Sequence, residues 1–213
     1  MIPYCSSTGT RTTREKLVEN NWRVLWVASG HNWDSKPVIP AGYAIDNGAG
    51  SAYLNGREFN ESDFIRCLDF SVQYAGDTGL EPDWVVLPDI VAGGMPSLEY
   101  SLRWANTVQP YTKKMLIAVQ DGMTPADLRP YVCEEIGLFV GGSTPWKLET
   151  IMAWGELAKN RCYLHVGRVN SIRRISHIAS AGAHSFDGTS VCRFPCTLDK
   201  LNRARHQLPL PLF

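Results

Sequence analysis

Short apolar runs rich in Val, Ile, Leu and Trp recur along the chain with amphipathic stretches between them, the pattern of strands alternating with helices. Runs at 24–28, 43–46, 84–88, 115–120, 136–140, 162–166 and 185–187 predict seven strands. Most are near-continuous in apolar residues, as strands buried on both faces must be, so a parallel sheet is expected. Between them, 13–20, 62–75, 96–107, 125–132, 147–159 and 171–181 predict helices, several opened by Ser, Thr or Pro at cap positions. A last helix over 198–207 precedes a tail rich in Pro and Leu.

Two α/β architectures compete for this pattern. An open doubly wound sheet announces its ligand with a Gly-rich turn after the first strand, and Ala28-Ser29-Gly30-His31 is no G-x-G-x-x-G. A compact (β/α)₈ TIM-type barrel fits better, because polar residues or Gly punctuate nearly every strand end, where barrels of this kind carry their chemistry. The chain shows no linker, no low-complexity block and no second composition regime, so residues 1–213 are read as a single catalytic domain.

Composition narrows the class without choosing a function. With 44% hydrophobic residues and 21 Lys+Arg against 21 Asp+Glu, the chain is neither disordered, collagen-like nor a coiled coil. Zero net charge argues against a histone-like polycation but leaves room for one local basic face. The six cysteines are too scattered for a disulfide framework, which points to a reducing cytosol. The N-terminus lacks the basic start and apolar run of a signal peptide, and no stretch approaches the roughly 18 apolar residues of a membrane span. A cytoplasmic protein without a membrane partner is expected.

In order, the strand ends read Asp46-Asn47-Gly48, Pro88-Asp89, Gln120-Asp121-Gly122, Gly141-Gly142-Ser143, His165-Val166-Gly167-Arg168 and Asp187-Gly188-Thr189. Any one Asp-Gly is ordinary turn chemistry. Independent turns have no reason, however, to set carboxylates, an amide and an imidazole at the ends of buried strands, where desolvation is costly. Carboxylates around one mouth suit either a divalent metal or glycosyl chemistry. Only His165 among the five histidines falls at a predicted strand end, which favours the second. Cys192-x-x-x-Cys196 with His206 is the one spacing that offers a zinc site, against the alternative of a buried apolar Cys pair. Trp33, Trp84 and Trp146 read as packing rather than base-stacking platforms, with Trp146, just after the Gly-Gly turn, the one to test for stacking.

The order of these motifs resembles the tRNA-guanine transglycosylase superfamily, most closely the phage-type branch that exchanges guanine in DNA for a 7-deazaguanine base. Ala44-Ile45-Asp46-Asn47-Gly48 is similar to the family's first Asp-x-Gly loop, and Leu87-Pro88-Asp89 with Ser101-Leu102-Arg103-Trp104-Ala105 to its second Asp and trailing helix. Val119-Gln120-Asp121-Gly122 resembles Val-Gln-Gly-Gly, and Val140-Gly141-Gly142 the base-binding turn. Tyr163-Leu164-His165-Val166-Gly167 resembles Tyr-Leu-Met-Gly-Val-Gly, and Ser185-Phe186-Asp187-Gly188 the Phe-Asp-Cys nucleophile strand. The chain departs from the pattern in three ways: the Cys-rich zinc cluster has no counterpart, Gly188 replaces the Cys, and His165 replaces the Met. The missing cluster favours DNA over tRNA.

The resemblance implies a pentosyltransferase that uses no cofactor, and with the zinc cluster missing no metal is expected. Asp187 would attack C1′ of the sugar and Asp46 would carry the proton between departing and entering bases. Asp89 suits the N1–H and 2-amino donors of guanine, while Gln120 and the backbone at Gly141 and Gly142 suit O6, with His165 stacking on or bonding the purine. Arg168, Arg173, Arg174 and Arg193 are the candidate phosphate contacts for a single-stranded or flipped-out nucleotide. Two other readings stay open: a small-molecule barrel acting on a phosphosugar or keto acid, and a non-catalytic subunit of a larger transglycosylase. A homodimer is compatible with the sequence, although no motif carries it.

Overall fold

The computed structural model describes residues 1–5, 10–30, 33 and 41–206. Eight parallel strands close into a barrel in sequence order: β1 (Ile2–Cys5), β2 (Arg23–Val27), β3 (Tyr43–Asp46), β4 (Val85–Val86), β5 (Met115–Val119), β6 (Ile136–Val140), β7 (Leu164–Val166) and β8 (Ser185–Asp187). Helices α1 (Arg11–Glu19), α2 (Ala49–Leu54), α3 (Glu61–Thr78), α4 (Met95–Val108), α5 (Pro125–Leu128), α6 (Thr144–Ala158), α7 (Ile172–Ser180), α8 (Ser190–Arg193) and α9 (Leu198–His206) lie in the connections and after β8. This is the α/β TIM-type barrel expected from the sequence.

The seven expected strands lacked the one that closes the ring. β1 pairs with β8 in the register Ile2↔Ser185, Pro3↔Phe186, Tyr4↔Asp187 and with β2 through Tyr4↔Arg23. Among the expected elements that are shorter than anticipated, two stand out. The strand expected over 84–88 pairs formally only at Val85–Val86, and Pro88 has no N–H with which to continue the ladder. The helix expected over 125–132 stops after one turn at Leu128, although its start is capped as expected, Thr124 N–H donating to Asp127 Oδ2 at 2.8 Å. Gln207, assigned to the last helix, lies outside the described residues.

Strand alternation divides the core into two shells. Tyr4, Leu25, Ala44, Trp84, Val86, Leu116 and Ala118 fill the barrel with Phe139 and Tyr163 packed against them. Residues between these positions, such as Val24, Ile45, Ile117 and Leu138, face the helices. At the N-terminal end of the barrel, Tyr4 Oη donates to Asp83 Oδ2 at 2.9 Å, and Asp83 pairs with Arg23. Apolar and aromatic packing thus occupies the lower barrel, leaving the carboxyl ends of the strands open.

Candidate active site

A cavity of about 480 Å³ opens at those carboxyl ends. Its apolar floor comes from Val86, Ala118 and Phe139, and its polar wall includes Asp46, Asp89, Gln120, Gly141, Gly142, Arg168 and Asp187. Seven of the residues singled out in the sequence therefore meet around one space. His165, Arg173, Arg174 and Arg193 do not line it.

Strand register sets the position of Asp187. His165 on β7 pairs with Ser185 on β8, so Asp187, two residues on and facing inward again, stands one layer above the imidazole. Asp187 Oδ2 lies 3.1 Å from His165 Nε2, and Asp187 Oδ1 accepts the Arg168 N–H at 3.2 Å. Both carboxylate oxygens are thereby oriented. Arg168 reaches this position with φ of +60°, a left-handed conformation that is costly for a residue with a Cβ.

His165 corrects the expectation of a base-stacking imidazole. It is 0% exposed, its ring stacks on Phe139 with centroids 4.8 Å apart, and its Nδ1 lies 2.7 Å from Ser185 Oγ. Burial lowers its pKa despite the hydrogen bond and charge of Asp187. A neutral imidazole with its proton on Nε2 donates to Asp187 and accepts the Ser185 hydroxyl on Nδ1, satisfying both nitrogens. His165 therefore supports Asp187 from below and makes no contact with the cavity.

Asp89 is fixed by two amides. Asn47 Nδ2 donates to Oδ1 at 2.8 Å, and Gln120 Nε2 lies 3.0 Å from Oδ2. Asn47 Nδ2 also reaches Leu87 O at 2.6 Å, while Gln120 Nε2 contacts Ile90 O at 3.0 Å and Ser97 Oγ at 2.9 Å. The expected role of Gln120 as a donor to guanine O6 is thus corrected: its N–H groups are committed to Asp89 and the β4–α4 loop. Burial raises the pKa of Asp89, with the Asn47 hydrogen bond opposing.

Asp46 ends β3 on the cavity wall. Its Oδ1 accepts the Gly48 N–H at 2.7 Å. Burial pushes its pKa up to about 7, with the charges of Asp187 and Asp89 adding to the rise and the Gly48 hydrogen bond and Arg168 opposing it. A carboxyl poised near neutrality exchanges protons readily in either direction.

Opposite these acids, the turn after β6 is built on glycine. Gly142 has φ of +59°, and a Cβ there would come within 2.6 Å of Asp121 Oδ2 and of the Trp146 ring. Trp146 therefore packs against the turn. Asp121 accepts from Ser143 N–H and Ser143 Oγ–H, each at 2.6 Å, and these bonds outweigh burial to hold it below the usual carboxylate range. Among the described residues the Gly142 N–H makes no hydrogen bond, and Gly142 lines the cavity.

Asn47 and Lys147 are among the cavity residues to which the sequence assigned no role. Asn47 was part of a turn motif, and its Asp89 contact depends on β3 and β4 being neighbours. Lys147 is 4% exposed and donates through Nζ to Gly167 O. Burial pushes its pKa down to about 8, helped by Arg168 and Arg174 and opposed by Asp187 and Asp121.

Gly188 sits in a crowded turn. A Cβ there would lie 2.6 Å from Asn170 Oδ1 and 2.7 Å from Val169 O, so the tight turn after the Asp187 strand has no room for a cysteine. Elsewhere, Arg173 and Arg193 are exposed, and Arg174 is half-buried on α7. Cys192 is half-buried and Cys196 exposed, and the two do not assemble with His206: among the described residues no group of three His, Cys, Asp or Glu is placed to hold a metal ion. No described helix is long and apolar enough to cross a membrane.

Compared with known proteins, the chain matches no protein-family model and no curated protein.

Proposed function

We propose that this barrel is a transglycosylase that replaces guanine in DNA with a 7-deazaguanine base through a covalent Asp187–sugar ester. The observation that carries the reading is the contrast among three of the four carboxyls around one cavity: Asp187 has both oxygens oriented by donors, Asp46 is poised near neutrality, and Asp89 is pinned between two amides. Breaking a purine–sugar bond through an oxocarbenium-like state calls for a nucleophilic carboxylate and a separate proton carrier. Recognition of the N1–H and 2-amino edge calls for a third acceptor.

In the first half-reaction an Asp187 oxygen bonds to C1′ as the C1′–N9 pair leaves with the purine. Asp46 in its acid form supplies a proton to that purine. In the second, ionised Asp46 takes a proton from the incoming 7-deazaguanine, whose nitrogen displaces Asp187 with net retention. The Gly142 N–H serves O6 in place of Gln120. A cavity of about 480 Å³ takes one base with its sugar, so the target nucleotide must be single-stranded or flipped out. Arg168 at the rim, with exposed Arg173 and Arg193 beyond it, would carry the phosphate contacts.

A trapping experiment tests this reading: protein is mixed with guanine-containing DNA oligonucleotides or with tRNA, with and without free 7-deazaguanine, and resolved by denaturing gel and mass. The expected result is an adduct with DNA that Asp187→Ala abolishes. Absence of both adduct and exchange with either polymer overturns it in favour of a small-molecule barrel or an accessory subunit.

A further inference from the structure

We propose that Lys147 donates a hydrogen bond to N7 of the departing guanine, stabilising the electron pair that C1′–N9 cleavage places on the five-membered ring. The inference rests on the base-exchange reading and assigns a task to a cavity residue that reading leaves unused.

Lys147 is an ammonium on the cavity wall with almost no solvent contact, held by a single hydrogen bond to Gly167 O. None of the ion pairs among the described residues includes it. An ammonium carries three N–H donors, and burying one without a counter-charge at contact distance is expensive. Asp187 and Asp121 favour its charge only from beyond contact distance, and its two remaining N–H groups make no hydrogen bond among the described residues, so an acceptor held in the cavity would complete its shell.

The circular order of the site identifies that acceptor. Around the barrel the order is Asp46 after β3, Asp89 after β4, Gly142 after β6, Lys147 bridging from α6 to the turn after β7, and Asp187 ending β8. Around guanine the order is N3, the 2-amino group with N1, O6, N7 and N9. With Asp89 on the N1 edge and Asp187 beneath the carbon attached to N9, two orientations of the ring remain. One sets O6 against the free Gly142 N–H, N7 against Lys147 and N3 against Asp46. The other turns O6 and N7 towards the Asp46 carboxyl and gives Gly142 and Lys147 only N3, which pairs donors with acceptors less well. In the favoured orientation Asp46 supplies the proton on one edge of the leaving purine while Lys147 keeps its own on the other, so charge and protons balance without a further reactant.

The experiment compares two oligonucleotides that differ only at N7 of the target base, guanine against 7-deazaguanine, with wild type and Lys147→Met, reading the single-turnover rate of Asp187 adduct formation. Lys147→Met is expected to slow the guanine reaction about ten- to hundredfold, the range for a lost hydrogen bond to a charged donor, and the 7-deazaguanine reaction by less than about twofold. Equal slowing of both substrates by a variant with wild-type melting behaviour overturns the assignment and leaves base exchange standing. If Lys147→Met does not fold, Lys147→Gln takes its place, and the same two outcomes support or overturn the assignment. Absence of any adduct from wild type overturns the base-exchange reading and this assignment together.

Discussion

Asp187 and His165 meet through a 3.1 Å contact in which a fully buried, neutral imidazole faces one oxygen of a cavity carboxylate. Because Ser185 engages the other ring nitrogen at 2.7 Å, the imidazole has one tautomer that satisfies all three groups, and that tautomer gives Asp187 a donor. The contact restricts Asp187 without adding a charge beside it. His165→Leu is therefore expected to slow adduct formation about tenfold or more through loss of a hydrogen bond to a charged group. His165→Gln, which can still present an N–H, should recover part of the rate at matched thermal stability. Single-turnover rates for the two variants, set against their melting curves, decide whether orientation or packing is at stake.

Asp46 links stability to pH. Its folded-state pKa of about 7 lies above the ordinary value of 3.8, so the folded protein holds the proton more tightly than the unfolded chain does. The sign follows: the charged form is penalised on folding, and that penalty is present in full above pH of about 7 and fades as pH falls towards 3.8. Asp46→Asn should melt higher than wild type at pH 8, with the gap closing on acidification, while base exchange is lost at every pH. Thermal melts across that range check the sign, and a gap that widens on acidification contradicts it.

The barrel was legible in the sequence because seven strands carry long apolar runs, and because strand-end residues converge in a closed ring whatever the details between them. β1 was not legible: Ile2–Cys5 is four residues with a proline inside, and what makes it a strand is pairing to β2 and β8 at opposite ends of the chain. Lys147 was hidden by a boundary. Reading α6 from 147 made this lysine a helix start, whereas the helix begins at Thr144 and turns Lys147 inward on its first turn. The depth of His165 was hidden for a related reason. Alternation shows that it faces into the barrel, but only the layer formed with Phe139, Trp84 and Tyr4 shows that it sits below the cavity.

Gly188 offers a test of the turn that carries Asp187. Introducing a side chain with Gly188→Cys forces a Cβ to within 2.6 Å of Asn170 Oδ1, which already accepts from Ser190 N–H and Oγ–H. Overpacking of this kind costs about 1–3 kcal/mol, and displacing Asn170 strips the first turn of α8 of its acceptor. The variant should unfold at lower denaturant concentration and form the Asp187 adduct more slowly than wild type. Unchanged stability in equilibrium denaturation would mean the turn opens without cost.

If DNA is the substrate as proposed, the basic residues separate into two roles that salt distinguishes. Arg168 is tied to the site by its backbone, whose N–H holds Asp187, so the consequences of changing its side chain mix rim contacts with loop conformation. Arg173 and Arg193 are exposed, lie outside the cavity and make no ion pair among the described residues, so a phosphate contact is the main interaction they have to lose. Each phosphate contact removed should reduce the steepness of log affinity against log salt by about 0.7 on single strands. Arg173→Ala and Arg193→Ala are therefore expected to weaken DNA binding most at low salt, irrespective of sequence, while leaving the adduct rate at saturating DNA close to wild type. Titrations of a labelled oligonucleotide at several salt concentrations measure the slope directly. Variants whose slope equals that of wild type would remove these two arginines from the DNA path and confine the nucleic-acid contact to the rim around Arg168.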